Sequence, residues 1–359
     1  GDHRARDYQI RTPPPHHERG CDGSRRSRLR RGDSPLGVLN EPLTPGCDFR
    51  SRAFFCAMQK QSEAGASPPK QLQGFALQVL TYLLALLVAA YVVNTLTWDS
   101  LLLEVLAADV AATVMVWALA RLFNNSSLYD PYWSVAPVAI AFYVWAQYDW
   151  GGNLVRNALI LGLVNLWGWR LTWNFLRGWP GLHHQDWRYD QLTQQTGRLY
   201  PGVELSGIVL FPTLLVFGGC LPLFYALPRE TPLNPLDMLA AVVTLYAIYL
   251  ETTADNQLRA FRHRKKQPDE VLTTGLWAHS RHPNYLGELT FWWGLWLFGL
   301  AATPNALWTV IGPLSITLLF VFISVPLIDK RHLERRGKAY EAVMQDTPAL
   351  FPNPFRKSR

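Results

Sequence analysis

From Phe75 onward the chain is a succession of apolar segments, each near the length a helix needs to cross a bilayer core of ~30 Å. They fall at about 75–96, 101–123, 132–148, 157–176, 205–227, 236–258, 286–302 and 307–328. In lipid the backbone must satisfy its own hydrogen bonds, so segments of this kind fold as helices. The expected fold is all-α, a polytopic transmembrane helical bundle of about seven or eight spans. The third and seventh segments are short, and Pro137, Pro212, Pro222 and Pro326 allow a span to tilt, kink or merge with its neighbour.

An apolar content of 49% with a mean hydropathy near zero is the average of two unlike parts. Residues 1–74 are polar and rich in Pro and Arg, with the runs PPPHH, SRRSRLRR and SPP and no period, so they are expected to form a disordered arm. The first Met is Met58, directly ahead of the first apolar segment, and residues 1–57 are expected to lie outside the working protein. The acids scattered through the arm make it a poor transit peptide. Residues 75–328 then form the bundle and 329–359 a cytosolic tail. Cys21, Cys47 and Cys56 lie in the arm and Cys220 in an apolar segment, which gives neither a disulfide framework nor a metal site.

Charge sets the expected orientation. With eight spans, the loops at 124–131, 177–204 and 259–285 share a side with both termini. Nineteen of the 21 Lys and Arg residues after residue 74 fall on that side, and only Arg156 and Arg229 on the other. This asymmetry predicts cytosolic termini. The net charge of +7 is thereby explained as a membrane-topology signal, and no nucleic-acid partner is expected. The Asn124-Asn125-Ser126-Ser127 sequons face the cytosol in this arrangement and are expected to carry no glycan.

The chemistry concentrates where polar sequence meets an apolar run, at GLWAHSRHPNYLGELTFWWG, residues 275–294. Pro283 suits the first turn of a helix. From there Asn284, Glu288 and Trp292 share one face at i, i+4 and i+8, with Gly287 and Phe291 beside them. His279, Arg281 and His282 precede the start, so cations meet free helix N–H groups, a combination that favours an anion. Glu288 lies about one turn inside the apolar run, where an ionisable group is costly without a partner, ligand or watery cavity. Upstream, Asp255, Leu258, Arg259 and Arg262 follow helical spacing, and in the tail His332, Arg336 and Tyr340 do the same. A basic run of this kind also serves as an interfacial anchor on anionic lipid.

These motifs resemble the signature of the steroid 5-alpha-reductase family. Its Gly-aromatic start, Asn, Gly-Glu pair, Trp and Gly correspond here to Gly275, Asn284, Gly287, Glu288, Trp292 and Gly294; its Asp-x-x-Leu-Arg-x-x-Arg to Asp255, Leu258, Arg259 and Arg262; and its tail Tyr and Asp-x-Pro to Tyr340, Asp346 and Pro348. The resemblance runs from Glu251 to Phe355, and Asp130–Trp133 matches an Asp-Pro-Tyr-Trp found in the reductase-like branch of that superfamily. It implies NADPH as cofactor, held by Asp255, Leu258, Arg259, Arg262, Arg281, His282, Asn284, Tyr285, Glu288, Trp292, Arg336 and Tyr340. The chain departs from the steroid reductases in carrying Arg336 where they place a His and Glu251 where they place an Asn. Ser280–Tyr285 also resembles isoprenylcysteine carboxyl methyltransferases, which use S-adenosylmethionine, although Glu334 is followed by Arg335 where those enzymes usually show adjacent Glu residues.

The leading expectation is an integral-membrane oxidoreductase of the endoplasmic reticulum that transfers hydride from NADPH to a conjugated C=C of a lipid or steroid-like substrate arriving from the bilayer. Glu288 would hold the cofactor at the reacting end. Tyr132, Tyr143, Glu104 and Asp109 are the candidate acids of the first half, with Tyr132 placed first. The alternatives are a membrane methyltransferase and a non-catalytic protein that binds lipid or a partner.

Overall fold

The computed structural model describes residues 68–96, 99–265 and 267–352. The expected disorder of the arm, and the expectation that residues 1–57 are dispensable, concern positions up to residue 67, outside the described residues. Residues 68–74 do not belong to that arm. The first helix, α1, runs Pro68–Thr95, starting on a proline pair whose missing N–H groups cost nothing in a first turn. Gln71 of this early turn donates to the carbonyl of Trp179 at 3.1 Å.

The helices continue with α2 (Leu101–Leu122), α3 (Tyr132–Ala146), α4 (Leu154–Gly178), α5 (Trp187–Ala226), α6 (Pro235–Arg264), α7 (Pro283–Ala302), α8 (Pro304–Arg336) and α9 (Lys338–Asp346). Among the described residues there is no strand. Five helices, α1, α2, α5, α6 and α8, are long and apolar enough to cross a membrane. The other three apolar segments expected to span are helical too. Of these, α3 has 15 residues, about 22 Å at 1.5 Å per residue, while α4 and α7 carry the polar residues described below. Large apolar side chains such as Leu83, Leu87, Val242, Tyr249 and Phe322 stand exposed on the outside, as lipid-facing surfaces do.

Two π-helical stretches interrupt the long helices, Glu204–Leu210 in α5 and Phe320–Ser324 in α8. Each ends just before a proline, Pro212 and Pro326. A proline frees the carbonyl four residues earlier and disfavours the regular ladder there, which accounts for both irregularities.

The tightest helix pair is α6 with α7. Gly287 and Gly294 make it possible. A Cβ on Gly287 would stand 2.7 Å from Cβ of Glu251, and one on Gly294 would run into the hydroxyl and backbone of Thr244. Trp167, Phe291, Trp292, Leu295 and Phe298 fill the main core, and a second core under α1 gathers Ala85, Val116, Tyr129 and Tyr132. At the end of the bundle where α4 and α6 begin, Arg156 is fully buried in a two-pronged pair with Asp237 at 2.7 and 2.8 Å. Asp237 also completes a capping box with Asn234. Arg156, counted above as a charge on the far side, is thus neutralised inside the protein.

Candidate functional site

The polar site forms at the opposite end, where α4, α6 and α8 finish and α3 and α7 begin. Helix α4 contributes Trp167, Arg170 and Asn174 on one face, spaced by three and four residues. Arg170 pairs with Glu251 at 2.5 Å and with Asp255 at 2.9 Å, both on α6 one turn apart. Asn174 donates to Asp255 at 3.0 Å and accepts from Arg259 at 3.0 Å. From α7, Glu288 accepts the indole N–H of Trp167 at 3.0 Å and that of Trp292 at 2.7 Å. Asn284, one turn earlier, faces Asp255, and Leu258 is half-buried on α6. Three carboxylates and two guanidinium groups therefore meet between three helices. Several of their atoms are buried without a protein partner: Oε2 of Glu251, Nε of Arg170 and Nε of Arg259.

The start of α7 differs from its sequence-based reading. The N–H groups of Arg281 and His282 are not open to an anion: they donate to the carbonyls of Pro348 and Ala349 at 2.9 and 3.1 Å. The C-terminal segment lies along residues 280–282 and takes up the backbone donors just ahead of the helix's first turn. Arg281 is likewise engaged, with Asp329 at 2.7 Å and the Thr347 carbonyl at 2.6 Å. His282 meets the same Asp329 at 2.8 Å, and the Tyr340 hydroxyl donates to it at 2.5 Å. Burial and that bond to Asp329 push the Tyr340 phenol above its ordinary range. Tyr285 stacks on His282, 5.3 Å between centroids, and meets Phe320 edge-on.

At the mouth of the cluster, α6 and the tail bring cations together. Arg262 is exposed and Arg336 half-buried, and no ion pair engages either among the described residues. Arg336 donates to Nδ1 of His332 at 3.1 Å. Burial, with Arg336 nearby, holds Lys265 below the usual lysine range. The cofactor residues read from sequence thus fall into two groups: Asp255, Leu258, Arg259, Arg262, Asn284, Glu288, Trp292 and Arg336 line the cluster or its mouth, while Arg281, His282 and Tyr340 converge on Asp329, with Tyr285 packed on His282.

In the first half, Tyr132 donates to Oδ1 of Asp109 at 2.9 Å, and Oδ2 of Asp109 is buried without a partner. Tyr143 donates to Glu104 at 2.6 Å, eleven residues further along α3 and so about 16 Å away. The two pairs are separate. The Tyr132 ring sits in the second core against Tyr82 and Tyr129, and its chain neighbour Trp133 links that core to the cluster by packing on Trp167, 6.1 Å between centroids.

Sequence reasoning missed Trp167, Arg170, Asn174 and Asp329. Arg170 was counted only as a topology charge, although an arginine within LWGWRLTWNF is costly in lipid and marks a partner or ligand by that fact alone.

The apolar helices and the lipid-like exterior define a polytopic helical membrane protein with a buried polar site at one end of its bundle. Residues 116–347 match the model of DUF1295, described as a protein of unknown function, and the chain belongs to that family. It is 26% identical over 231 residues to an uncharacterized protein of Schizosaccharomyces pombe, an alignment covering 57% of this chain and 67% of that one. No solved structure matches it.

Proposed function

We propose that the chain is an integral-membrane, NADPH-dependent reductase acting on a conjugated C=C of a lipid or steroid-like substrate. The observation that carries this reading is the set of unpartnered buried atoms on Glu251, Arg170 and Arg259. A buried polar group left unpaired costs ~1–3 kcal/mol, so the cluster favours a ligand that offers both donors and acceptors. A carboxamide such as that of nicotinamide offers both, and Glu288, with one indole on each oxygen, keeps lone pairs for a further N–H. Arg259, Arg262, Lys265 and Arg336 at the mouth suit phosphates, which guanidinium groups bind through charge-assisted hydrogen bonds. The resemblance of these same positions to the steroid 5-alpha-reductase signature supports the assignment. Arg281, held by Asp329 and the tail, is left out of it.

NADPH bound there would supply the hydride. The chain's own part is to hold a proton at the substrate carbonyl, and Tyr132 with Asp109 suits it. With the proton on Asp109, the carboxyl donates to the phenol oxygen and frees the phenol hydrogen for a substrate. With Asp109 ionised, the phenol turns to the carboxylate instead. Tyr82 and Tyr129 pack on the Tyr132 ring, so the pair is walled by aromatic surface. We place the protein in the endoplasmic reticulum membrane with eight helical crossings and both termini cytosolic, so that the cationic mouth opens where NADPH is found.

Equilibrium dialysis of the detergent-solubilised protein against NADPH, NADH and S-adenosylmethionine tests the reading. NADPH should bind saturably and more tightly than NADH. Saturable binding of S-adenosylmethionine alone would replace the reductase with a methyltransferase, and binding of none would leave a non-catalytic lipid- or partner-binding protein.

A further inference from the structure

We propose that Asp329 is a positioning residue of the cofactor site: it clasps the C-terminal segment onto the start of α7 and so fixes Tyr340 and the cationic mouth. The proposal rests on the reductase reading. Asp329 is 6% exposed and accepts three hydrogen bonds. Its Oδ1 takes His282 Nε2 at 2.8 Å and the Tyr340 hydroxyl at 2.5 Å, and its Oδ2 takes Arg281 Nη2 at 2.7 Å. A carboxylate has about four acceptor positions, so three are filled by donors from two other segments of chain. The same junction is sewn by the backbone, since Thr347, Pro348 and Ala349 each give a carbonyl to Arg281 or His282, and the Ser280 hydroxyl donates to Ala349 at 3.1 Å.

Two chains of contact lead from Asp329 toward the cluster. Through His282 it sets the ring on which Tyr285 stacks, and Tyr285 neighbours Asn284 on α7. Through Tyr340 it sets the ring against which His332 packs, 5.0 Å between centroids, and His332 accepts from Arg336 at the mouth. An asparagine at 329 keeps the shape but loses the charge that holds Arg281, and it presents an N–H₂ group where one of the donors now points. The junction would then open while the core of Trp167, Phe291, Trp292, Leu295 and Phe298 stays packed.

The test uses the full chain in detergent with NADPH as the probe. Asp329→Asn should speed hydrogen exchange across residues 338–350 at least tenfold and weaken NADPH at least tenfold, with Asp329→Glu recovering part of both. Tyr340→Phe combined with Asp329→Asn should weaken NADPH little more than Asp329→Asn alone, because the two changes break one junction. Faster exchange in the tail with unchanged NADPH affinity, or additive effects of the two substitutions, would reduce Asp329 to an anchor of the tail and overturn the proposal. If the unaltered protein binds no NADPH, the reductase reading itself fails and this inference with it; if it binds and Asp329→Asn binds equally well, only this inference fails.

Discussion

The indole of Trp167 donates to Glu288 at 3.0 Å across the junction of α4 and α7, while its ring lies flat on Phe291 with 4.3 Å between centroids. One side chain thus satisfies a buried carboxylate and packs the wall beside it. Trp167→Phe keeps the stacking surface and deletes the N–H. It should cost about 1–3 kcal/mol, the expected penalty for a buried acceptor that loses a partner. Trp167→Ala should cost about 3–5 kcal/mol by adding a cavity. Denaturant unfolding in detergent measures both: a Trp167→Phe protein as stable as the unaltered one would mean that the hydrogen bond contributes nothing, and equal losses that the stacked ring contributes nothing.

Gly294 sets how closely α6 and α7 approach. Gly294→Val has no room beside Thr244 and should separate the helices that carry Glu251, Asp255 and Glu288. A fall in the thermal midpoint together with loss of ligand binding is expected. Gly337 resists a side chain for a different reason: φ +52° with ψ −130° lies outside the left-handed helical region that Asn tolerates, so Gly337→Asn should cost about 1–3 kcal/mol in strain while leaving this helix pair together. A well-tolerated Gly294→Val would contradict the packing described for this pair.

Asp130 gives a pH dependence. Burial pushes its carboxyl up to about 6 from an ordinary value near 3.8, against the pull of Arg188 and of the Tyr189 hydroxyl that donates to it. A folded-state value above the unfolded one means that the fold binds the proton more tightly. The resulting stabilisation is fully present below about 4 and is lost as pH rises through about 6. Unfolding of the native protein should therefore become easier from pH 4 to 7 by more than in Asp130→Asn. Parallel curves for the two proteins would contradict it.

Asn125 donates both amide hydrogens inward, to the carbonyls of Leu182 at 2.8 Å and His184 at 3.0 Å, and is buried. A glycan on that nitrogen would displace these bonds from the buried site, and the proposed topology puts the sequon in the cytosol as well. Protein made in a glycosylating host should show no mass change on glycosidase treatment. In sealed vesicles, a tag inserted at 267–274 should be cut by external protease. Protection of that tag would overturn the proposed orientation.

Much of the fold was legible in the sequence because it is local. Helices of membrane length announce themselves by apolar runs, and the shared face of Asn284, Glu288 and Trp292 follows from helical spacing alone. What stayed hidden joins positions far apart in the chain. Trp167 and Glu288 are 121 residues apart, and Arg170 and Asp255 are 85 apart. No period in the sequence encodes such pairings. The approach to the helix start was hidden for the same reason: the carbonyls of Pro348 and Ala349, more than sixty residues on, occupy the N–H groups of Arg281 and His282. Asp329 carried no local sign of its role, since an acid at the polar end of an apolar helix is ordinary.

The central claim, that the cluster around Glu288 receives a nicotinamide cofactor, is tested most directly by titrating the purified protein with NADPH and following energy transfer from tryptophan. A ligand that reaches Glu288 comes beside Trp167 and Trp292, both of which donate to it. The account predicts saturable transfer that Glu288→Ala weakens at least tenfold for both NADPH and NADH, and that Arg262→Ala weakens more for NADPH than for NADH. Absence of saturable transfer, or a Glu288→Ala protein that binds as the unaltered one does, would contradict it.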